Sequence, residues 1–274
     1  MSTLSLDPAH GLARLNVRLH LRGLVLWGLA LAALDVLYAA LWPSISGNSS
    51  YADILDQMPK AYRSIIDASG GIDLTTAAGY LQAETFALTA PLLLIVQAVA
   101  LGTGLTVGWE RGTRLETLLA GPLGRTRWYL VQVATVVVGT AGLCAATLTV
   151  LLVVRDPFEL DVPVGHLVAA CVQLGALATF FGALAIAAGA ATGQAGAARA
   201  VCGVVAVLGY LVNVLAPMAD ALEPLRPLSP FHWYARSPAV VNGLDWAGAG
   251  VLLGAAAVLV AAGAIVLERR DLHS

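Results

Sequence analysis

The sequence predicts an all-α integral membrane protein: six transmembrane helices with both termini cytoplasmic, an amphipathic N-terminal interfacial helix and a short cytoplasmic helix between spans 2 and 3. Composition is the first observation behind this expectation. Of 274 residues, 58% are hydrophobic and only 12% charged, where a soluble domain carries about 25% charged residues. Mean hydropathy is +0.80. The second observation is six long apolar runs, at about residues 23–42, 86–108, 128–154, 164–192, 198–218 and 246–267. Crossing a hydrocarbon core of about 30 Å takes about 20 helical residues. Backbone groups in lipid must be paired within their own segment, so runs of this length are helices rather than the short alternating strands of a barrel. The third observation is charge placement. Arg14, Arg18, Arg22, Arg111, Arg114, Arg125, Arg127, Arg199, Arg269 and Arg270 fall on one side, against Lys60, Arg63, Arg155, Arg226 and Arg236 in the loops opposite. Basic residues gather on the cytoplasmic side.

In chain order, residues 1–22 carry Arg14, Arg18 and Arg22 at four-residue spacing, with Leu12, Leu15, Val17 and Leu19 on other faces. This pattern predicts a helix lying on the cytoplasmic leaflet before the first span. Three Arg ahead of a full-length span, with no small-residue cleavage site after it, argue against a cleaved signal. The extracellular loop 43–85 has Ile54, Met58, Tyr62 and Ile65 near helical spacing, with Pro59 placed for a first turn, so one or two short helices are expected. Residues 109–127 form the cytoplasmic connection. The second extracellular loop, 219–245, is rich in proline and aromatics, which suits broken helices at the outer interface. The whole chain, 1–274, reads as one transmembrane domain.

Several function classes drop out. A net charge of −2 with scattered basic residues gives no nucleic-acid footprint. A phosphate-binding loop needs Gly-Lys-Ser/Thr, and the single lysine sits in Met58-Pro59-Lys60-Ala61. No His-Glu-x-x-His occurs among His10, His20, His166, His232 and His273, and no serine lies within the six runs. No catalytic residue, cofactor or metal site is therefore expected in this chain. Cys144, Cys171 and Cys202 fall inside apolar runs and read as packing residues.

Ionisable groups at membrane depth cost about 2.5–3.5 kcal/mol on insertion scales and are functional candidates by default. Asp35 lies on the order of 12 Å inside the first span, and Glu84 marks the outer start of the second. Asp35, Gln97, Gln132 and Asn213 form the candidate translocation path; the alternative for these residues and Gln173 is hydrogen bonding between helices. Gly175, Gly182 and Gly189, and the pairs Gly189/Gly193 and Gly250/Gly254, have the spacing of close helix packing.

The strongest local signal runs from Glu110 to Arg125. Thr113 and Glu116 form a capping box, and Gly121-Pro122 is a stop, so a helix of about two turns is expected. Leu115, Leu118 and Leu119 give it an apolar patch flanked by Arg111, Arg114, Arg125 and Arg127. So short a helix is marginal in water and needs a surface, either lipid headgroups or a cytoplasmic partner.

This segment resembles the permease subunits of type-2 ABC transporters, in which Glu, Gly-Thr, Leu-Leu, Pro and Arg follow the second span in this order. Here they stand as Glu110, Gly112, Thr113, Leu118, Leu119, Pro122 and Arg125. Leu228-Ser229-Pro230-Phe231-His232-Trp233-Tyr234 and Glu268-Arg269-Arg270-Asp271-Leu272 are similar to two further family stretches. The family's doubled acidic pattern is reduced to Glu110-Arg111. The resemblance implies a multi-pass exporter subunit of a bacterial cell membrane, surrounded by membrane lipid. It would pair with a second permease subunit, as homo- or heterodimer, and with two copies of an ABC ATPase subunit that supplies the ATP and Mg. Its substrate would be a small hydrophobic or amphipathic molecule. Residues 113–120 would be the coupling helix, with Glu110, Gly112, Thr113, Leu115, Glu116, Leu118, Leu119, Pro122 and Arg125 docking the ATPase. A proton- or ion-coupled carrier working without an ATPase is the alternative that the intramembrane carboxylate leaves open.

Overall fold

The computed structural model describes residues 8–46, 73, 75–110 and 124–269. Among them there is no strand, and six helical segments are long and apolar enough to cross a membrane. The helices are α1 (Pro8–Ser46), α2 (Ala77–Leu81), α3 (Ala90–Glu110), α4 (Arg125–Arg155), α5 (Val164–Thr192), α6 (Ala195–Leu215), α7 (Pro230–Ala235), α8 (Ala239–Asn242) and α9 (Trp246–Arg269). A π-helical stretch, Gln82–Thr89, joins α2 to α3 into one continuous segment, and 3-10 turns at Ala216–Met218 and Asp220–Leu228 lead from α6 towards α7.

No break in the helix separates residues 22 and 23. α1 runs unbroken for 39 residues, about 58 Å at 1.5 Å per residue. Gly23 alone costs a helix only about 1 kcal/mol relative to alanine. Against that cost, the unbroken helix buries Leu12 and Asn16, with Leu12 in the apolar cluster that includes Trp128 and Leu267. The second crossing also begins earlier than the apolar pattern indicates, at Ala77. Thr76 caps it, its side chain accepting from the Gly79 N–H at 3.1 Å, and Tyr80 and Leu81 are buried.

The π-helical stretch has a cause in the sequence. Pro91 has no N–H to offer, and in a regular helix its ring would crowd the carbonyl four residues earlier. Widening the turn accommodates it, and the Ala90 N–H donates to Thr85, five residues back.

α5 is the hub, packed against α3, α4, α6, α8 and α9. Leu174, Leu177, Phe181 and Ile186 on it are fully buried, while Val164, Val168 and Val172 face outward. Gly189 lets Thr106 of α3 approach so closely that a Cβ would not fit, in line with the glycine spacing. Gly250 and Gly254 behave otherwise: a Cβ at either would meet nothing within 4 Å. α6 buries little beyond Ala198 and Cys202 and presents Val204, Val207, Leu208 and Leu211 outward. All three cysteines are buried and free.

Candidate functional site

Three groups of polar side chains lie among the helices. At the end of the bundle carrying Arg14, Arg125 and Arg127, Asn16 of α1 donates from Nδ2 to Gln132 Oε1 of α4 at 2.7 Å. The same amide group lies 3.3 Å from Thr135 Oγ1, whose own hydroxyl donates to the Val131 carbonyl. His20 Nδ1 stands 2.9 Å from the Asn16 carbonyl, one turn back. Asn16 and Gln132 are both fully enclosed, and Asn16 Oδ1, Gln132 Nε2, Trp128 Nε1 and Tyr129 Oη have no hydrogen-bond partner among the described residues.

Asp35 lies 19 positions after Asn16 on α1, about 28 Å along the axis. It is 1% exposed. Thr147 of α4 stands next to its carboxylate, yet neither Asp35 Oδ2 nor Thr147 Oγ1 forms a hydrogen bond of ordinary geometry. Cys144 and Cys171, from α4 and α5, complete the neighbourhood. The two described ion pairs lie elsewhere, at Arg155–Asp156 and Arg236–Asp245.

The third group ties α7 to the spans. Ser229 caps α7, accepting from the N–H groups of Phe231 (3.1 Å) and His232 (3.4 Å), and its hydroxyl donates to the Gly209 carbonyl of α6 at 2.7 Å. Pro230 follows at the first helical position, where a missing N–H costs nothing. Tyr234 then donates to the Phe86 carbonyl at 2.6 Å. In the wide π turn that carbonyl's partner would be residue 91, a proline, so the tyrosine supplies a donor that the backbone lacks. Gln173 of α5 donates to the Trp233 carbonyl at 2.9 Å. Arg236 grips Asp245 with Nε at 3.0 Å and Nη2 at 2.7 Å, its guanidinium 5.5 Å from the Trp233 ring centre.

Burial alone would raise the Asp245 carboxyl; the Arg236 hydrogen bond and the Gly248 and Ala247 amides outweigh it and hold the group below the usual carboxylate range. Partial burial, then the charges of Arg226 and Arg236, push His232 down, with Asp245 opposing.

Among the described residues no hydrogen bond joins any two of the four residues of the expected translocation path. Gln132 pairs with Asn16 and Asp35 sits beside Thr147, while Gln97 is buried in α3 with Oε1 unpartnered and Asn213 is half-buried in the last turn of α6. Glu84 lies half-buried inside the π-helical stretch. Of the docking residues, Arg125 is the first residue of α4 and Glu110 the last of α3. Gly112, Thr113, Leu115, Glu116, Leu118, Leu119 and Pro122 lie outside the described residues, as do the Glu110 side chain and the helices expected within 47–72. Asn16 is a functional candidate that the sequence does not single out, because its segment is expected on the leaflet surface; a single amide among Leu12, Leu15 and Leu19 is the signal that could have placed it inside.

No curated protein and no solved structure matches the chain significantly. A family profile described as the C-terminal domain of the multidrug efflux system permease Rv1217c matches residues 10–267. That match spans all six crossing segments from α1 to α9, so the chain belongs to this family of multidrug efflux permeases.

Proposed function

We propose that the chain is the membrane-spanning subunit of an ATP-binding cassette exporter, moving a small hydrophobic or amphipathic compound out of the cell with ATP hydrolysed by a separate subunit. The observation that carries this reading is the efflux-permease family match over residues 10–267. The connection between α3 and α4 supports it, because it holds the Glu110, Gly112-Thr113, Leu118-Leu119, Pro122 and Arg125 pattern of type-2 ABC permeases. The same reading supplies a second permease subunit and two ATPase copies, with ATP and Mg bound there. Both termini and this connection then face the cytoplasm, as the placement of arginines favours.

A helix seated in an ATPase groove would act as a lever on α3 and α4, the two helices it joins, and rock them between two packings. The single lysine, Lys60, lies far from any phosphate-loop context, consistent with energy coming from another chain. The test is affinity purification of the full chain from its native membranes, followed by transport in vesicles. An ABC ATPase should co-purify, and efflux of a hydrophobic dye should need ATP. Transport driven by a proton gradient without ATP, from a preparation holding no ATPase, would make the chain a secondary carrier instead.

A further inference from the structure

A groove of about 460 Å³ runs between α1 and α4. It exists because the facing residues are small: Gly28 and Ala32 on α1, Gly139, Gly142 and Ala146 on α4. From Val17 to Ala32 it extends about 22 Å along α1. One leaflet of a bilayer offers about 15 Å of hydrocarbon plus about 6 Å of headgroup region, so the groove has the depth of one lipid. Its polarity is graded in the same sense. Beyond Leu24 the walls are apolar; the polar members, His20 and Thr135, sit at the end next to the Asn16–Gln132 pair.

Basic charge is placed at that end, while Asp35, near the other end, is buried beside Thr147. Arg14 and Arg18 each stand three positions before a groove residue, Val17 and Leu21, and so lie on the flank that faces the groove mouth. Both are exposed, and among the described residues neither pairs with a carboxylate. The exposed Leu15, Val17, Leu19 and Leu21 on the same stretch keep it in the interface rather than in water.

We propose that this groove holds an acyl chain of an anionic phospholipid, with the headgroup phosphate against Arg14 and Arg18. Arginine suits this role because its planar fork meets phosphate oxygens with two parallel hydrogen bonds. The lipid closes the α1–α4 seam and fixes the depth of α1 in the membrane. The site does not depend on how transport is powered.

The test reconstitutes the full chain in nanodiscs holding equal amounts of phosphatidylglycerol and phosphatidylcholine, re-extracts it in mild detergent and counts retained lipid by native mass spectrometry. The chain should keep phosphatidylglycerol in preference to phosphatidylcholine. The Arg14→Gln/Arg18→Gln variant should lower that retention about thirtyfold, the combined effect of two basic residues at an anionic surface. Gly142→Leu should also lose the lipid: a Cβ there meets nothing within 4 Å, so the leucine fills the groove without disturbing the helices. Gly250→Leu, equally unobstructed but on α9, should keep it. Equal retention of the two lipids, retention unchanged in Gly142→Leu, or equal loss in Gly250→Leu would each overturn the proposal.

Discussion

Asn16 and Gln132, 116 positions apart in the chain, share a 2.7 Å hydrogen bond inside the bundle and thereby join α1 to α4. Each amide also keeps one buried atom unpartnered, Asn16 Oδ1 and Gln132 Nε2. The pair is therefore coupled, and its single variants should be worse than the double. Asn16→Leu or Gln132→Leu alone should destabilise the protein by about 1–3 kcal/mol, because a buried polar group is left stranded. The double variant should recover most of that loss. A double-mutant cycle in detergent unfolding measures it; additive effects would show that the bond contributes nothing.

Tyr234→Phe removes the hydroxyl that donates to the Phe86 carbonyl. The ring still fits, so the loss is a hydrogen bond without a cavity, about 1–2 kcal/mol. The change Pro91→Ala restores a backbone N–H at the position that the π turn leaves without one. Combining the two changes should therefore cost less than Tyr234→Phe alone. Thermal unfolding of the three variants decides the point.

The Arg236–Asp245 clamp should show in the acid limb of stability. The folded carboxyl titrates below its ordinary 3.8, so its stabilisation is complete above that value and is lost as pH falls through the lowered one. Asp245→Asn should cost about 1 kcal/mol at neutral pH, the scale of a well-aligned but partly exposed pair. It should also flatten the pH dependence below about pH 4. Unfolding curves from about pH 3 to 7, compared with the unaltered chain, test both signs; identical acid limbs would remove Asp245 from the account.

Asp35→Asn separates a requirement for charge from one for shape. The side chain is buried beside Thr147, with a carboxylate oxygen unpartnered. A neutral amide of the same size should keep ATP-driven efflux within about twofold, a change of less than about 0.5 kcal/mol. Loss of transport with the protein still folded would make Asp35 a coupling residue and favour the proton-driven alternative.

Leu118→Asp places a charge among the leucines of the α3–α4 connection that the proposed function assigns to ATPase docking. It should abolish ATPase co-purification while leaving membrane insertion intact, since a buried unpaired carboxylate is far more costly than the contact it replaces. Pull-down of the partner ATPase from membranes containing each form reads this directly, and unchanged recovery would retire the docking role.

Composition and run length determined the six crossings, because lipid leaves a long apolar segment no option but a helix; α5 even begins and ends at the residues the hydropathy pattern marks. The motif around Ser229 was legible too, since cap, proline and aromatics follow one another locally. Hydropathy could not say that α1 would run unbroken from Pro8 to Ser46 or that α2 would reach into polar sequence. A periodic pattern records which faces are apolar, not whether a neighbour makes it worthwhile to continue straight. Nor could it sort the polar residues. Asp35, Gln97, Gln132 and Asn213 look alike as isolated polar positions in apolar runs, and only the packing of α1 on α4 gave Gln132 a partner in Asn16 and left Asp35 beside Thr147. Hydrogen bonds act over about 3 Å, so a pairing across more than a hundred residues is written in the tertiary arrangement and nowhere in the local sequence.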